Sequence, residues 1–173
     1  MVARERVMSE RLARYAQWMD VALIEARAAG ERGDIPIGAV VVDGDAQVLS
    51  VTSNRREVDS DPTAHAEILA LRAAAQRRGD WRLADCTLLV TVEPCPMCAG
   101  AAVLARISTL VIGTWNEQYG AAGSHWDLVR DRRLNHQIEV VSGVRAQECS
   151  HILREFLSDR RGEDYDAPYS GTR

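Results

Sequence analysis

Apolar positions near the start of the chain recur every three or four residues, with charged residues between them. These positions are Leu12, Ala16, Met19, Leu23 and Ala26. In a helix this spacing places the apolar side chains on one stripe and the charged side chains on the other faces. The pattern predicts an amphipathic helix over residues 9–30, which Gly30 and Gly33 would end.

Five short apolar runs follow, and each is bounded by turn residues. They predict strands at residues 37–42, 47–53, 87–92, 109–113 and 137–141. The first two runs flank Asp43-Gly44-Asp45, a turn sequence that favours an antiparallel hairpin. The third run, Thr-Leu-Leu-Val-Thr-Val, is apolar enough to be buried on both faces of a sheet.

Proline residues mark two further helix starts. Asp61 suits the N-cap position and Pro62 the first helical position, which predicts a helix that continues to about residue 78. Cys95 and Pro96 give the same signal for the next helix. A last helix is predicted over residues 145–161, and residues 162–173 are typical of a flexible polar tail.

The order of these elements predicts a single domain over residues 1–161. Strands that alternate with helices form a mostly parallel sheet covered on both faces, and the opening hairpin adds an antiparallel part. The expected fold class is therefore α/β, as a three-layer α/β/α domain with a mixed, roughly five-stranded sheet.

Composition narrows the possible functions. An apolar content of 46% in 173 residues can fill the core of one domain. No apolar stretch approaches the length of a membrane span and the N-terminus lacks the apolar region of a secretory signal, so a cytoplasmic location is expected. All 21 basic residues are arginine, against 25 acidic ones, giving a net charge of −4. The lack of lysine excludes Schiff-base catalysis and a P-loop lysine, and any RNA contact requires a local arginine patch.

The candidate chemistry lies in two separated motifs, His65-Ala66-Glu67 and Pro94-Cys95-Pro96-Met97-Cys98. A structural zinc site uses four protein ligands, whereas a catalytic one uses three and keeps a position open. The two motifs supply three ligands, from His65, Cys95 and Cys98, and leave Glu67 free to carry protons. This pattern of His-x-Glu followed by Pro-Cys-x-x-Cys is the established signature of zinc-dependent nucleobase deaminases.

Two alternatives compete with a catalytic zinc site. In a structural zinc site, Cys86 or Cys149 would provide a fourth ligand and Glu67 would only be solvated. In a redox pair, Cys95 and Cys98 would cycle between thiol and disulfide, and the nearby histidine and glutamate would have no role. The two predicted helix starts favour the catalytic site, because two helix N-termini aimed at one centre stabilise thiolates. Cys86 and Cys149 are then simply buried thiols.

From about residue 36 to residue 161 the sequence resembles the bacterial tRNA-specific adenosine deaminases of the cytidine deaminase superfamily. These enzymes convert the wobble adenosine of a tRNA to inosine. The resemblance is carried by Pro36–Val40, Asn54, Asp61–Glu67, Glu93–Gly100, Gly120–Ser124 and Leu134–His136. The zinc motif alone is shared with deaminases of free bases and nucleosides, which form the alternative prediction. A catalytically silent RNA-binding subunit would be expected to lack Glu67.

The resemblance implies a role for each matching residue. It implies one Zn²⁺ held by His65, Cys95 and Cys98, with Glu67 as the catalytic proton shuttle. The implied contacts to the flipped nucleotide are Asn54, Ala66, Val92, Pro94 and Asn116. The resemblance also implies a homodimer that binds the tRNA anticodon stem-loop, with Arg160 and Arg161 near the RNA backbone.

Two features differ from the family pattern or stay open. Asn116 stands where the family has an acidic residue that meets the ribose backbone, so it keeps hydrogen bonding but lacks the charge. The cluster of Arg130, Arg132 and Arg133 is compatible both with a phosphate-binding patch and with an ordinary surface loop.

Overall fold

The helices and strands follow the predicted order. A computed structural model describes residues 2–160, and side chains are described for residues 5–158. The elements are α1 (Val2–Glu31), β1 (Gly38–Val42), β2 (Val48–Ser53), α2 (Ala66–Arg78), β3 (Thr87–Val92), α3 (Pro96–Leu104), β4 (Thr109–Thr114), β5 (Glu139–Ser142) and α4 (Ala146–Arg160). The flexible tail predicted for residues 162–173 lies outside the described residues.

The strands form one mixed sheet in the order β2-β1-β3-β4-β5. β1 pairs antiparallel with both β2 and β3, whereas β3, β4 and β5 run parallel to one another. α2 and α3 pack on one face of the sheet, and α1 and α4 pack on the other. The α/β class, the three layers and the mixed five-stranded sheet are confirmed.

The central strand β3 is buried on both faces, as its sequence predicts. Leu88 and Val90 belong to the apolar cluster under α2 and α3, while Leu89 belongs to the cluster under α1 and α4. Side chains of consecutive strand residues alternate between faces, so a continuous apolar run serves both layers.

The first helix is longer than predicted, and its buried stripe is shifted. α1 begins at Val2 and not at residue 9. The added turns show no apolar period, so the sequence pattern did not include them, and residues 5–8 lie exposed. Met19, Leu23 and Ala26 are buried as predicted, whereas Leu12 is 42% exposed and Tyr15 is buried instead.

The predicted start of the second helix at Asp61 and Pro62 is wrong. α2 begins at Ala66, with His65 as its N-cap. The Asp61 carboxylate instead accepts hydrogen bonds from the N–H and the hydroxyl of Thr63, at 2.8 and 2.7 Å. Aspartate and proline favour a tight turn as strongly as a helix start, and here they form the turn. The predicted start of the third helix is confirmed, with Cys95 as N-cap and Pro96 following.

One edge of the sheet collects the ends from which the site is built. Ser53 at the end of β2 pairs with Gly38 at the start of β1, and Val92 at the end of β3 pairs with Thr114 at the end of β4. The N-termini of α2 and α3 lie at this same edge, since their N-caps His65 and Cys95 lie close together. Ligands of open α/β sheets bind beyond the carboxyl ends of strands, which makes this edge the place to look for function.

Candidate active site

Three potential metal ligands from distant parts of the sequence meet at this edge. The Nδ1 atom of His65 lies 3.7 Å from Sγ of Cys95 and 3.6 Å from Sγ of Cys98. The three ligand atoms all lie within 4.8 Å of one another. Zinc bonds of about 2.3 Å to sulfur and about 2.0 Å to nitrogen, at tetrahedral angles, place nitrogen and sulfur roughly 3.6 Å apart. The donor atoms and their spacing therefore fit a zinc ion.

The local backbone explains how these side chains converge. His65 and Cys95 are N-caps with extended backbone, so each leaves its strand or turn and points its side chain ahead of a helix. Neither side chain caps its own helix through a hydrogen bond. Cys98 lies in the first turn of α3 and is fully buried. The positive ends of two helices therefore face the group, which favours anionic sulfur ligands.

The pKa values of the two cysteines are shifted in opposite directions. Hydrogen bonds from Cys98 and from His65 lower the pKa of Cys95 to about 4. The hydrogen bond with Cys95 and burial raise the pKa of Cys98. One thiolate thus opposes formation of a second one beside it. A divalent cation removes this opposition because it binds both sulfurs as thiolates.

Glu67 supplies a carboxyl group that is separate from the metal-binding group. It is 3% exposed, and its Oε2 atom has no hydrogen-bond partner among the described residues. Burial raises the pKa of Glu67 to about 7, with a further increase from the charge of Cys95. A carboxyl group with a pKa near neutral pH can both accept and return a proton, which is the property of a general acid–base.

Four of the residues predicted to contact the substrate lie at the same end of the sheet as this group. Asn54 follows β2 and is 3% exposed, and Ala66, Val92 and Pro94 are buried. The N–H of Arg55 donates to the carbonyl of Ala64 at 3.0 Å, which fastens the segment after Asn54 beside His65. The structure therefore places all four residues at the sheet edge that carries the metal-binding group.

Asn116 is half-buried in the loop that follows β4. Its side-chain oxygen accepts a hydrogen bond from the N–H of Tyr119 at 3.1 Å, so this oxygen caps a turn of its own loop. Its backbone N–H donates to Oε2 of Glu93 at 3.0 Å. The predicted substrate contact of Asn116 would therefore have to come from its side-chain NH₂ group. The position of that group depends on how the loop is held.

Sequence reasoning overlooked Glu93, which is 2% exposed at the end of β3. Its carboxylate accepts hydrogen bonds from three backbone N–H groups of the loop after β4. An acidic residue placed between a buried strand and a ligand motif is the signal that could have identified it.

The open question about the arginine cluster receives a partial answer. Arg130 pairs with Asp127 at 2.9 Å and donates to the carbonyl of Ala122, and Arg133 pairs with Asp131 at 2.5 Å. Local carboxylates thus neutralise two of the three cations, which favours an ordinary surface loop. The predicted RNA contacts of Arg160 and Arg161 lie outside the described side chains.

A structural zinc site does not fit this geometry. Cys86 and Cys149 are buried elsewhere, and burial raises their pKa values to about 11 and about 12. Within residues 2–160 the metal-binding group has three members and lacks the fourth ligand that a structural zinc requires.

The described helices include none that is both long and apolar enough to cross a membrane.

Comparison with known proteins agrees with the geometry. The chain matches the MafB19-like deaminase family over residues 14–161. It is 43% identical over 145 residues to the tRNA-specific adenosine deaminase of Bacillus subtilis, covering 83% of this chain and 89% of that protein. It is 47% identical over 145 residues to the enzyme of the same name from Haemophilus influenzae, covering 84% of each chain.

Solved structures give the same result. A structure from a study of A-to-I editing by tRNA A34 deaminases superposes with a TM-score of 0.76 at 42% identity, covering 79% of this chain and 99% of that one. A guanine deaminase from Bacillus subtilis superposes less completely, with a TM-score of 0.51 over 54% of this chain and 60% of that one, at 38% identity. Fold, site and relatives define a deaminase. The chain belongs to the family of the tRNA-specific adenosine deaminases.

Proposed function

We propose that this protein hydrolyses the wobble adenosine of a tRNA to inosine, consuming one water and releasing one ammonia. The observation that carries the reaction type is the buried carboxyl group of Glu67 beside a three-ligand metal-binding group. The choice of substrate is supported by the relatives named as tRNA-specific adenosine deaminases.

His65, Cys95 and Cys98 would hold one Zn²⁺ per chain, since their donor atoms and spacing suit that ion. A zinc ion bound there supplies a Lewis acid that lowers the pKa of water. The chemistry that remains belongs to the protein's own side chains.

Glu67 acts as the proton carrier in this proposal. It takes one proton from the attacking water and gives it to the purine ring nitrogen, then moves the second proton of that water from the new C6 hydroxyl to the departing amine. Its raised pKa suits both directions of transfer near pH 7. The C6–N bond breaks and a C6–O bond forms, so the purine keeps its ring and loses ammonia.

The surrounding residues orient the base. The amide of Asn54 would hydrogen-bond the purine, while Ala66, Val92 and Pro94 would form the walls of its pocket. A target base must leave its stack to reach such a site, and an anticodon loop presents it already unpaired. Asn116 would meet the ribose from the loop after β4.

The proposed working form is a cytoplasmic homodimer that binds the anticodon stem-loop. In this proposal, one deaminase domain extends over residues 1–161, and Arg160 and Arg161 contact phosphates. Contacts to phosphates release counterions from the RNA, so binding should weaken as salt rises.

An editing assay decides the substrate. Purified zinc-loaded protein is incubated with tRNAs that carry adenosine at the wobble position, and the product is sequenced. We expect inosine at that position with wild-type protein, and zinc retention with turnover reduced by at least 10²-fold for Glu67→Ala. An unedited tRNA would refute the proposed substrate, and substantial activity of the variant would refute the role of Glu67.

A parallel turnover assay with other substrates separates the alternative functions. The guanine deaminase with 38% identity makes a free base the second candidate. Free adenosine, cytidine, cytosine and guanine are tested without RNA, and a DNA hairpin of the same sequence measures how far Asn116 relaxes the preference for ribose.

A further inference from the structure

A loop beyond β4 is joined to the metal-binding edge by one buried carboxylate, by a backbone hydrogen bond and by two buried alanines. We define this segment, residues 116–124, as the 116–124 loop. We propose that Glu93 is the positioning residue for the 116–124 loop, and that its carboxylate fixes the loop as the substrate-facing wall of the active site. The link to substrate rests on the proposed function, whereas the holding of the loop does not.

Both oxygens of Glu93 are used for this purpose. Oε2 accepts the N–H of Asn116 at 3.0 Å, and Oε1 accepts the N–H groups of Ala122 and Ser124 at 2.9 and 3.0 Å. A buried carboxylate without partners is strongly unfavourable, and hydrogen bonds to a charged group are among the strongest in proteins. The two ends of the loop are therefore tied to one point.

The loop sequence is shaped to receive this carboxylate. A Cβ atom on Gly120 would overlap the carboxylate of Glu93 and the hydroxyl of Ser124. Glycine is therefore required at this position by close approach to the loop's own anchor. The requirement links residue 120 to residue 93, which lies on a different element.

Backbone hydrogen bonds connect the anchor to the metal-binding motif. The N–H of Ala121 donates to the carbonyl of Pro94 at 2.8 Å, and the N–H of Glu93 donates to the carbonyl of Thr114 at 2.9 Å. Pro94 directly precedes Cys95 in the sequence. These bonds therefore set the position of the loop relative to the metal ligands, and a loop that loosens would shift away from that position.

Apolar packing holds the second half of the loop, where its two alanines are fully buried, but not the first half. Tyr119 is 64% exposed and the preceding Trp115 is 43% exposed, so their burial adds little. Glu93 also differs from Glu67, because both of its oxygens accept hydrogen bonds from the loop backbone. Its role is to position other groups, and it is not expected to touch the substrate.

Glu93→Gln tests the proposal, because the amide keeps one acceptor and replaces the other with an NH₂ donor. Hydrogen–deuterium exchange of the zinc-loaded variant should be at least about tenfold faster for the loop amides, with β3 and α2 unchanged. With tRNA substrate, kcat/KM should fall about 10- to 100-fold, mainly through KM. Zinc content and the pH profile should stay unchanged, since the ligands and Glu67 are intact.

A second variant and a matched control guard against misfolding. Gly120→Ala should reproduce both effects by displacing the Glu93 carboxylate, and the double variant should be no worse than the more affected single variant. Asp43→Asn is the control, since Asp43 accepts backbone N–H groups from Asp45 and Gln47 in the hairpin turn at the opposite sheet edge. It should loosen that turn alone.

The outcomes are separable. Wild-type exchange of the 116–124 loop in both variants would overturn the anchoring role. Faster exchange with unchanged KM and kcat would overturn the link to substrate. If wild-type protein edits no tRNA, the proposed function fails, while the exchange measurement still decides whether Glu93 anchors the loop.

Discussion

At the scale of single residues, two buried glutamates have opposite surroundings. Glu67 has a buried oxygen without a partner among the described residues, whereas Glu93 accepts three backbone N–H groups. The first carboxyl group is thus available for proton exchange, and the second is committed to structure. Burial alone does not distinguish a catalytic carboxyl group from an anchoring one; the hydrogen bonds do.

Glu67 should make the metal-free protein less stable as pH rises. Its pKa is about 7 when folded, above the ordinary 4.5, so between these values the folded state binds more protons than the unfolded state. This contribution to the free energy of unfolding is therefore lost as pH increases through that window. At pH 8 we expect the free energy of unfolding of metal-free Glu67→Gln to be higher than that of metal-free wild type by up to roughly 3 kcal/mol.

Urea unfolding of both metal-free proteins at pH 5 and pH 8 measures this difference. Comparing the two proteins removes the part of the pH dependence that Cys95 and Cys98 contribute independently of Glu67. A difference between variant and wild type that is the same at both pH values would contradict the raised pKa of Glu67.

Residue-level prediction depended on recognisable motifs. It grouped ligands that the structure brings together from positions 30 or more residues apart, and it missed a residue outside those motifs' known chemistry. His65, Glu67, Cys95 and Cys98 were identified from two short motifs whose spacing suits zinc chemistry. Glu93 was missed because its partners are backbone N–H groups 23 to 31 residues further along the chain, which no side-chain motif marks. Only the folded sheet edge brings them together.

At the scale of elements, two similar sequence signals gave different structures. Cys95-Pro96 begins a helix, whereas Asp61-Pro62 forms a turn and delays α2 to residue 66. In both a turn and a helix start, an aspartate accepts an N–H two or three residues ahead, so local sequence cannot choose between them. The delay makes His65 an N-cap, the position from which it reaches the cysteines.

The contact between α1 and β1 leaves no room for a side chain at Gly38. A Cβ atom there would overlap the backbone carbonyl of Ala22 in α1. We expect Gly38→Ala to lower the free energy of unfolding by about 1–3 kcal/mol, because backbone atoms must move apart. Urea unfolding measures this loss. Gly44→Ala, in the exposed hairpin turn, is the matched control and should change stability far less.

At the scale of the whole molecule, the metal-binding group joins α2 and α3 across the sheet edge. Anything that binds only the folded chain stabilises all of it. Removal of metal by a chelator should therefore lower the melting temperature by roughly 10 °C, and equimolar zinc should restore it. Differential scanning calorimetry measures the shift.

A ligand variant serves as the control for this experiment. Cys95→Ser should melt at the same temperature with and without chelator, because its site no longer holds the ion tightly. A wild-type protein whose melting temperature ignores both chelator and added zinc would contradict the metal assignment.

The 116–124 loop has a consequence for how enzymes of this kind diversify. Glu93 and Pro94 hold it near its two ends, while residues 117–119 are exposed at its tip. New sequences can therefore be grafted between two fixed anchor points without disturbing the ligands or the proton carrier. Under the proposed function, evolution or a designer's library restricted to three codons would alter which nucleotide neighbours are accepted while the reaction itself is inherited intact.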